Sequence, residues 1–253
     1  MRKFGLIGFP LSHSFSENYF TEKFRQENIS DASFSNFPLE NIELFPELLK
    51  RESGLRGLSV TIPYKEKIIP YLNELDPIAK AVGAVNCIRI TSHESQVPVL
   101  KGYNTDVYGF RQSLKPFLES KHDRALILGT GGASKAIEFV LNEIGIEIVF
   151  VSREKKNIPG KNHLTYAELN NYIIDSHKLI VNCSPVGTFP NVNDAPQIPY
   201  EFITRDHFLY DLVYNPAETQ FLKHGKEKGA LTMNGFDMLK LQAEKAWEIW
   251  NQS

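Results

Sequence analysis

"RALILGTGGASKAIEFVLNEIGIEIVFVSRE", residues 124–154, spells a strand, a glycine turn, a helix and a second strand without interruption. Its opening apolar block is short and bounded by glycine, as a buried strand is. Gly129, Gly131 and Gly132 stand at the end of that block, and Ala133 follows them. Apolar residues then recur at helical spacing up to a stop at Gly145, and "EIVFVS" reads as a second buried strand. Glycine at a strand end allows a tight turn and lets backbone approach a pyrophosphate. The helix N-terminus beyond it offers N–H groups and partial positive charge to the same anion. A lone glycine pattern is weak, but this one lies inside a βαβ unit of about 30 residues, the context such a turn needs. Gly129, Gly131, Gly132 and Ala133 are therefore candidate cofactor-binding residues. Ser134 stands where a third glycine is usual, so the helix is expected to pack slightly farther from the sheet.

The end of the second strand speaks to which dinucleotide. Sites for NAD place an acidic residue there for the ribose 2′-hydroxyl. Here Ser152 and Arg153 hold that position, with Lys155 and Lys156 beyond, which suits a 2′-phosphate. Glu154 argues the other way. A solvated basic turn with no ligand is the plainer alternative.

Outward from this unit the same alternation continues in both directions, the signature of α/β architecture. Strands are expected at 3–9, 32–37, 56–60, 178–183 and 207–213, with another at 230–235. Residues 84–90 and 97–103 read as a hairpin. Helices are expected from Ser16, over 40–52, after Asp76-Pro77, from Asn104 or Thr105 to about Leu118, and over 236–250. Charge rises and apolar periodicity fades in "KPFLESKHDR" (115–124), the best candidate boundary. The expected division is a first domain of residues 1–115, a dinucleotide-binding domain of residues 116–235, and a final helix, 236–253, completing the first.

Composition narrows the class. The 253 residues are 42% hydrophobic and 23% charged, with a formal net charge of −2 and no basic stripe, which argues against nucleic acid. Cys87 and Cys183 form no C-x-x-C pattern, so neither zinc nor a disulfide scaffold is expected, and a reducing cytoplasm fits. The opening "MRKFGLIGFPLSHS" has too short an apolar run for a signal peptide and reads as a first strand. Nothing approaches the roughly 20 apolar residues of a membrane span.

Chemistry outside the glycine turn starts with "SVTIPYKEKI" (59–68). Pro63 ends the strand ladder, having no N–H to give. Lys65 follows, either ordinary surface or an ammonium held over a pocket. Asn86 sits in a strand-like run, where asparagine is disfavoured. Asp106 falls in a helix's first turn, where capping is its plain role. Ser14 and Ser16 stand at the entrance of the first helix, as hydroxyls for a carboxylate or, for Ser16, as the N-cap. His13 reads as structural.

Eight motifs in order carry a resemblance over nearly the whole chain: "HSFS" (13–16), "SVTIPYK" (59–65), "GAVN" (83–86), "NTD" (104–106), "GTGGASKA" (129–136), "NCSPVG" (182–187), "DLVYNPAET" (211–219) and "NGFDMLKLQ" (234–242). The chain resembles the shikimate dehydrogenase family. The resemblance implies an open α/β substrate domain, a Rossmann-type NADP-binding domain, and a final helix packing back on the first. It implies reduction of 3-dehydroshikimate to shikimate, with Lys65 and Asp106 as the catalytic pair and Ser14 and Ser16 as a carboxylate clamp. Thr61, Asn86 and Gln242 would bind ring hydroxyls, and Tyr214 would lie near the substrate. Gly235 would lie beside the nicotinamide, flanked by Leu212. The cleft between the two domains would hold both ligands. An Asn-Arg-Thr run is common in the family where this chain has Ser152-Arg153-Glu154. An NAD-preferring quinate/shikimate dehydrogenase and a catalytically idle NADP-binding sensor are the competing readings. Partners are expected to be small molecules, and the protein a monomer or homodimer.

Overall fold

The computed structural model describes residues 1–11, 15–91, 98–155 and 160–252. The chain divides into two compact units, Met1–Thr105 with Gln242–Ser253, and Asp106–Leu241.

The first unit carries β1 (Arg2–Gly8), α1 (Phe15–Gln26), β2 (Ala32–Pro38), α2 (Phe45–Arg51), β3 (Leu55–Val60), β4 (Glu74–Leu75), α3 (Pro77–Val82), β5 (Cys87–Thr91) and β6 (Val99–Tyr103). Its strands form one mixed sheet in the order β2-β1-β3-β5-β6-β4. β1 pairs parallel with β2 and β3, and β5–β6 is the expected antiparallel hairpin. Side chains alternate across the sheet, so each strand feeds two cores. In β1, Phe4 and Leu6 enter an aromatic layer with Phe20, Phe24 and Phe34, while Ile7 enters an aliphatic layer with Leu58, Val60 and Ile88. The α3 helix has the local signals its sequence gives. Asp76 accepts from Ala79 N at 2.7 Å, Pro77 opens the first turn, and Gly83 closes it at φ +68°.

The second unit carries α4 (Asp106–Leu114), β7 (Arg124–Leu128), α5 (Gly132–Glu143), β8 (Glu147–Ser152), β9 (Asn162–Thr165), α6 (Asn171–Ser176), β10 (Leu179–Asn182), β11 (Phe208–Asp211), α7 (Gln220–Glu227) and β12 (Leu231–Met233). The sheet is all parallel, in the order β12-β11-β10-β7-β8-β9. The chain winds one way from β7 through β9 and the other way from β10 through β12. The carboxyl ends of β7 and β10 are thus the point where strand order reverses, where open α/β sheets bind ligands.

The last helix, α8 (Phe236–Trp250), contributes its residues from Gln242 onward to the first unit. Trp250 stacks on Phe4 with centroids 5.1 Å apart and donates Nε1 to Ile88 O at 3.0 Å. Gly57 makes this possible, because a Cβ there would collide with the indole. The helix therefore packs back on the first sheet, as the resemblance implies.

Several boundaries differ from expectation. The units meet at Thr105/Asp106, not after residue 115, because α4 belongs with the second unit: Phe110 packs edge-on against Tyr210, 5.1 Å between centroids, and Ser113 Oγ lies 2.7 Å from Tyr210 Oη. The other crossing falls inside α8, after Leu241 rather than before residue 236. The helix expected over 40–52 is a 3-10 turn, Ile42–Leu44, followed by the shorter α2. The helix expected to reach Leu118 ends at Leu114, where a 3-10 turn over Lys115–Phe117 takes over at Pro116. The two-residue β4 and the polar β9 ("NHLT") lack the apolar run that marks a strand.

Candidate active site

In the first unit, β3 ends at Val60 and the chain turns through Thr61 and Pro63 to Lys65. Thr61 N donates to Ile7 O at 2.9 Å, and a Cβ on Gly8 would collide with the Thr61 methyl. The glycine is what lets the threonine sit against the end of β1. Val85 N donates to Lys65 O at 2.7 Å, so the lysine backbone is tied to the "GAVN" segment. Its side chain is half-buried.

Asn86 is 4% exposed and still holds its ladder, accepting from Val60 N at 2.8 Å and donating to Tyr103 O at 3.1 Å. That leaves its carboxamide for tertiary contacts. Nδ2 donates to Thr105 Oγ1 at 2.9 Å and to Gln242 Oε1 at 3.3 Å, and Oδ1 accepts from Thr105 N at 2.6 Å. Thr105 Oγ1 also donates to Gln242 Oε1 at 3.2 Å. Asn86 and Gln242, 156 positions apart, thus share one polar cluster whose centre is Thr105. The sequence offers Thr105 only as a possible helix cap, with no site role, although it sits in the quoted "NTD". Asn104 beside it donates to Ala84 O at 2.9 Å, fixing this stretch to the "GAVN" segment.

Ser16 is buried within the first turn of α1, which starts at Phe15, so it is not the helix cap. Ser14 lies outside the described residues, as does His13.

In the second unit, Asp106 is buried as the first residue of α4. Gly129 follows β7 with φ +109°, a conformation favouring glycine. A Cβ on it would come within 3.2 Å of Ser184 N and 3.3 Å of Cys183 C, so the turn after β7 lies against the turn after β10. Gly131 precedes α5, and the space a Cβ would take there is open. Ser134 is 2% exposed and donates Oγ to Gly131 O at 2.7 Å, closing the first turn of the helix.

At the end of β8, Ser152 Oγ is occupied by Glu154 O and His163 Nε2, each at 2.8 Å. Arg153 and Glu154 are exposed. Lys155 pairs with Glu168 at 2.9 Å. The same carboxylate accepts from Thr165 N at 2.6 Å, and these bonds hold Glu168 down to about 2. Of the basic residues described in this turn, Lys155 is thus engaged by a carboxylate and Arg153 is exposed. Lys156 lies outside the described residues.

Leu212 and Gly235 are neighbours: a Cβ on Gly235 would collide with Leu212 O, and Gly235 N donates to Val213 O at 3.2 Å. Tyr214 is half-buried, and burial raises its phenol above the ordinary tyrosine range.

The chain as a whole is similar to known proteins. Residues 6–88 fit the model of the shikimate dehydrogenase substrate binding domain. The shikimate dehydrogenase (NADP(+)) of Halothermothrix orenii is 39% identical over 97% of this chain and 89% of its own. The chain belongs to the shikimate dehydrogenase family. Among solved members, shikimate dehydrogenase 1 of Peptoclostridium difficile is 38% identical, with a TM-score of 0.84 over 99% of this chain and 91% of that one. The shikimate 5-dehydrogenase of Thermus thermophilus, solved in complex with NADP(H) and shikimate, is 29% identical, with a TM-score of 0.83 over 99% and 94%.

Proposed function

We propose that the protein catalyses the reversible, NADP-dependent reduction of 3-dehydroshikimate to shikimate, a step towards chorismate and the aromatic amino acids. The observation that carries this is the 39% identity to a shikimate dehydrogenase (NADP(+)) along 97% of the chain. The residues of the second unit suit the cofactor. Gly129 to Ala133 and the start of α5 would hold the pyrophosphate, with open space at Gly131. Arg153 would hold the 2′-phosphate, its planar guanidinium able to pair that anion. Leu212 and Gly235 would flank the nicotinamide, which supplies or accepts the hydride when bound.

The chain's own residues do the remaining work. A ketone that accepts hydride builds negative charge on its oxygen. We assign the Lys65 ammonium to stabilise that charge and deliver the proton, and the Asp106 carboxylate to orient it. Ser14 and Ser16 take the substrate carboxylate by hydrogen bonds. Thr61, Asn86 and Gln242 take ring hydroxyls. Thr105 belongs with them, because it holds both carboxamides in register. Tyr214 lines the substrate side. The first unit is the substrate-binding catalytic part and the second the cofactor-binding part. Two unpaired thiols, Cys87 and Cys183, suit the reducing cytoplasm.

An NAD-preferring quinate/shikimate dehydrogenase is the second reading, favoured by exposed Glu154 and by Lys155 being engaged with Glu168. The test is nicotinamide absorbance with shikimate and quinate, each with NADP⁺ and NAD⁺. Reduction of NADP⁺ by shikimate is expected. No shikimate-dependent signal with either cofactor refutes the activity, and a faster NAD⁺ reaction selects the second reading.

A further inference from the structure

β10 and β11 each end in a buried polar residue. Asn182 and Asp211 are 0% exposed, and Thr219, which caps α7, is 1% exposed. Asp211 Oδ1 accepts from Asn182 Nδ2 at 2.9 Å and from Val213 N at 3.0 Å; Oδ2 accepts from Thr219 Oγ1 at 2.6 Å. All three donors are neutral. A buried carboxylate without a cation is costly, and a core that needed only stability would be better served by an apolar side chain. Burial raises the Asp211 carboxyl to about 6, against the pull of the three hydrogen bonds.

What the carboxylate ties together is more specific than a core. Asn182 Oδ1 accepts from Ser184 N at 3.1 Å and Ser184 Oγ at 2.6 Å, fixing the turn that lies against Gly129. Val213 N is fixed directly, between Leu212 and Tyr214, and Val213 O receives Gly235 N at 3.2 Å. Thr219 anchors the far end of the 212–219 loop. One side chain thus sets the backbone of the turn behind the glycine turn and of the Leu212–Gly235 pair.

We propose that Asp211 is a positioning residue for the cofactor, holding residues 183–187 and 212–214 in the path that NADP binding requires. The inference rests on the cofactor assignment above. It predicts that removing the carboxylate weakens cofactor binding out of proportion to any loss of stability.

The test uses the full-length protein. The dissociation constant for NADP⁺ is measured by calorimetry, and amide exchange is read at residues 183–187 and 212–214. Asp211→Ala should raise the constant by at least roughly tenfold, as expected when a hydrogen bond between a charged group and several donors is lost. It should also speed exchange in those two segments. Asp211→Asn keeps an acceptor for Asn182 and Val213 and should recover most of the affinity. Leu209→Ala, a cavity in the same strand, should lower the melting temperature without changing the constant. If Asp211→Ala does not fold, Thr219→Val, which removes one donor, should raise the constant about threefold with Leu209→Ala still at the wild-type value. Folded Asp211→Ala or Thr219→Val binding NADP⁺ like the wild type overturns the proposal. So does Leu209→Ala losing affinity in step with its stability. Wild-type protein that binds NADP⁺ but does not oxidise shikimate refutes the activity and leaves this inference standing.

Discussion

Replacing Asp211 by Asn should make the variant gain stability relative to the wild type as pH rises from acid to neutral. The Asp211 carboxyl moves from 3.8 in the unfolded chain to about 6 in the folded one. At about 1.4 kcal/mol per unit this is a difference of about 3 kcal/mol. The sign follows from which state holds the proton. Between about pH 4 and pH 6 the folded protein keeps a proton that the unfolded chain has released. The stabilisation is therefore complete below the unfolded value and is lost as pH rises through the folded one. Asparagine does not titrate, so wild-type stability minus variant stability should fall by about 3 kcal/mol from roughly pH 4 to pH 7. His122, His177 and His207 contribute the opposite trend, because burial lowers all three below the ordinary imidazole value. They are common to both proteins and cancel in the difference. The assay is urea unfolding of both proteins at four pH values. A difference that stays constant, or that grows as pH rises, would refute the reasoning.

Lys65→Ala should lower kcat by about 10²–10⁴ with the fold intact by circular dichroism. Combined with Asp106→Asn the losses should be less than additive, since the two act as one unit, and full additivity would separate them. Ser16→Ala should raise the shikimate KM by the loss of about 1.5–3 kcal/mol; an analogue lacking the carboxylate should not feel the change, and equal loss for both would disprove the clamp. Thr105→Val should raise the KM for shikimate and leave that for NADP⁺ unchanged; a shift in the NADP⁺ value instead would count against its place among the ring-binding residues. Arg153→Ala should remove most of a roughly ten- to hundredfold NADP preference while sparing NAD, and Glu154→Thr should enlarge it, both read as ratios of kcat/KM.

The second unit is legible because its central strands β7, β10 and β11 are buried on both faces and read as apolar runs. The glycine turn falls where that pattern places it, directly before α5. β9 was not legible, since an edge strand reading "NHLT" needs no apolar run. Asn86 was legible as a polar residue at a β-rich position, whereas Thr105 looked like a helix cap and only the tertiary fold reveals its two carboxamide partners. The Asp211 network has a signal in the sequence: "HFLYDLV" contains an acid in an otherwise apolar strand, which demands hydrogen-bond donors from elsewhere. The boundary at residue 115 followed composition, but composition marks where a helix stops being amphipathic, not which neighbour it packs on.

The first unit is discontinuous in sequence, its early strands sharing an aromatic layer with Trp250. On the ribosome, residues 106–241 emerge between the two parts, and at about 5–20 residues per second this takes on the order of ten seconds. The uninterrupted second unit can complete its parallel sheet in that interval. Phe4, Phe20 and Phe34 meanwhile wait without the indole that covers them. The unit begun earlier is thus finished later, and its aromatic layer stays uncovered on the nascent chain until the closing helix arrives.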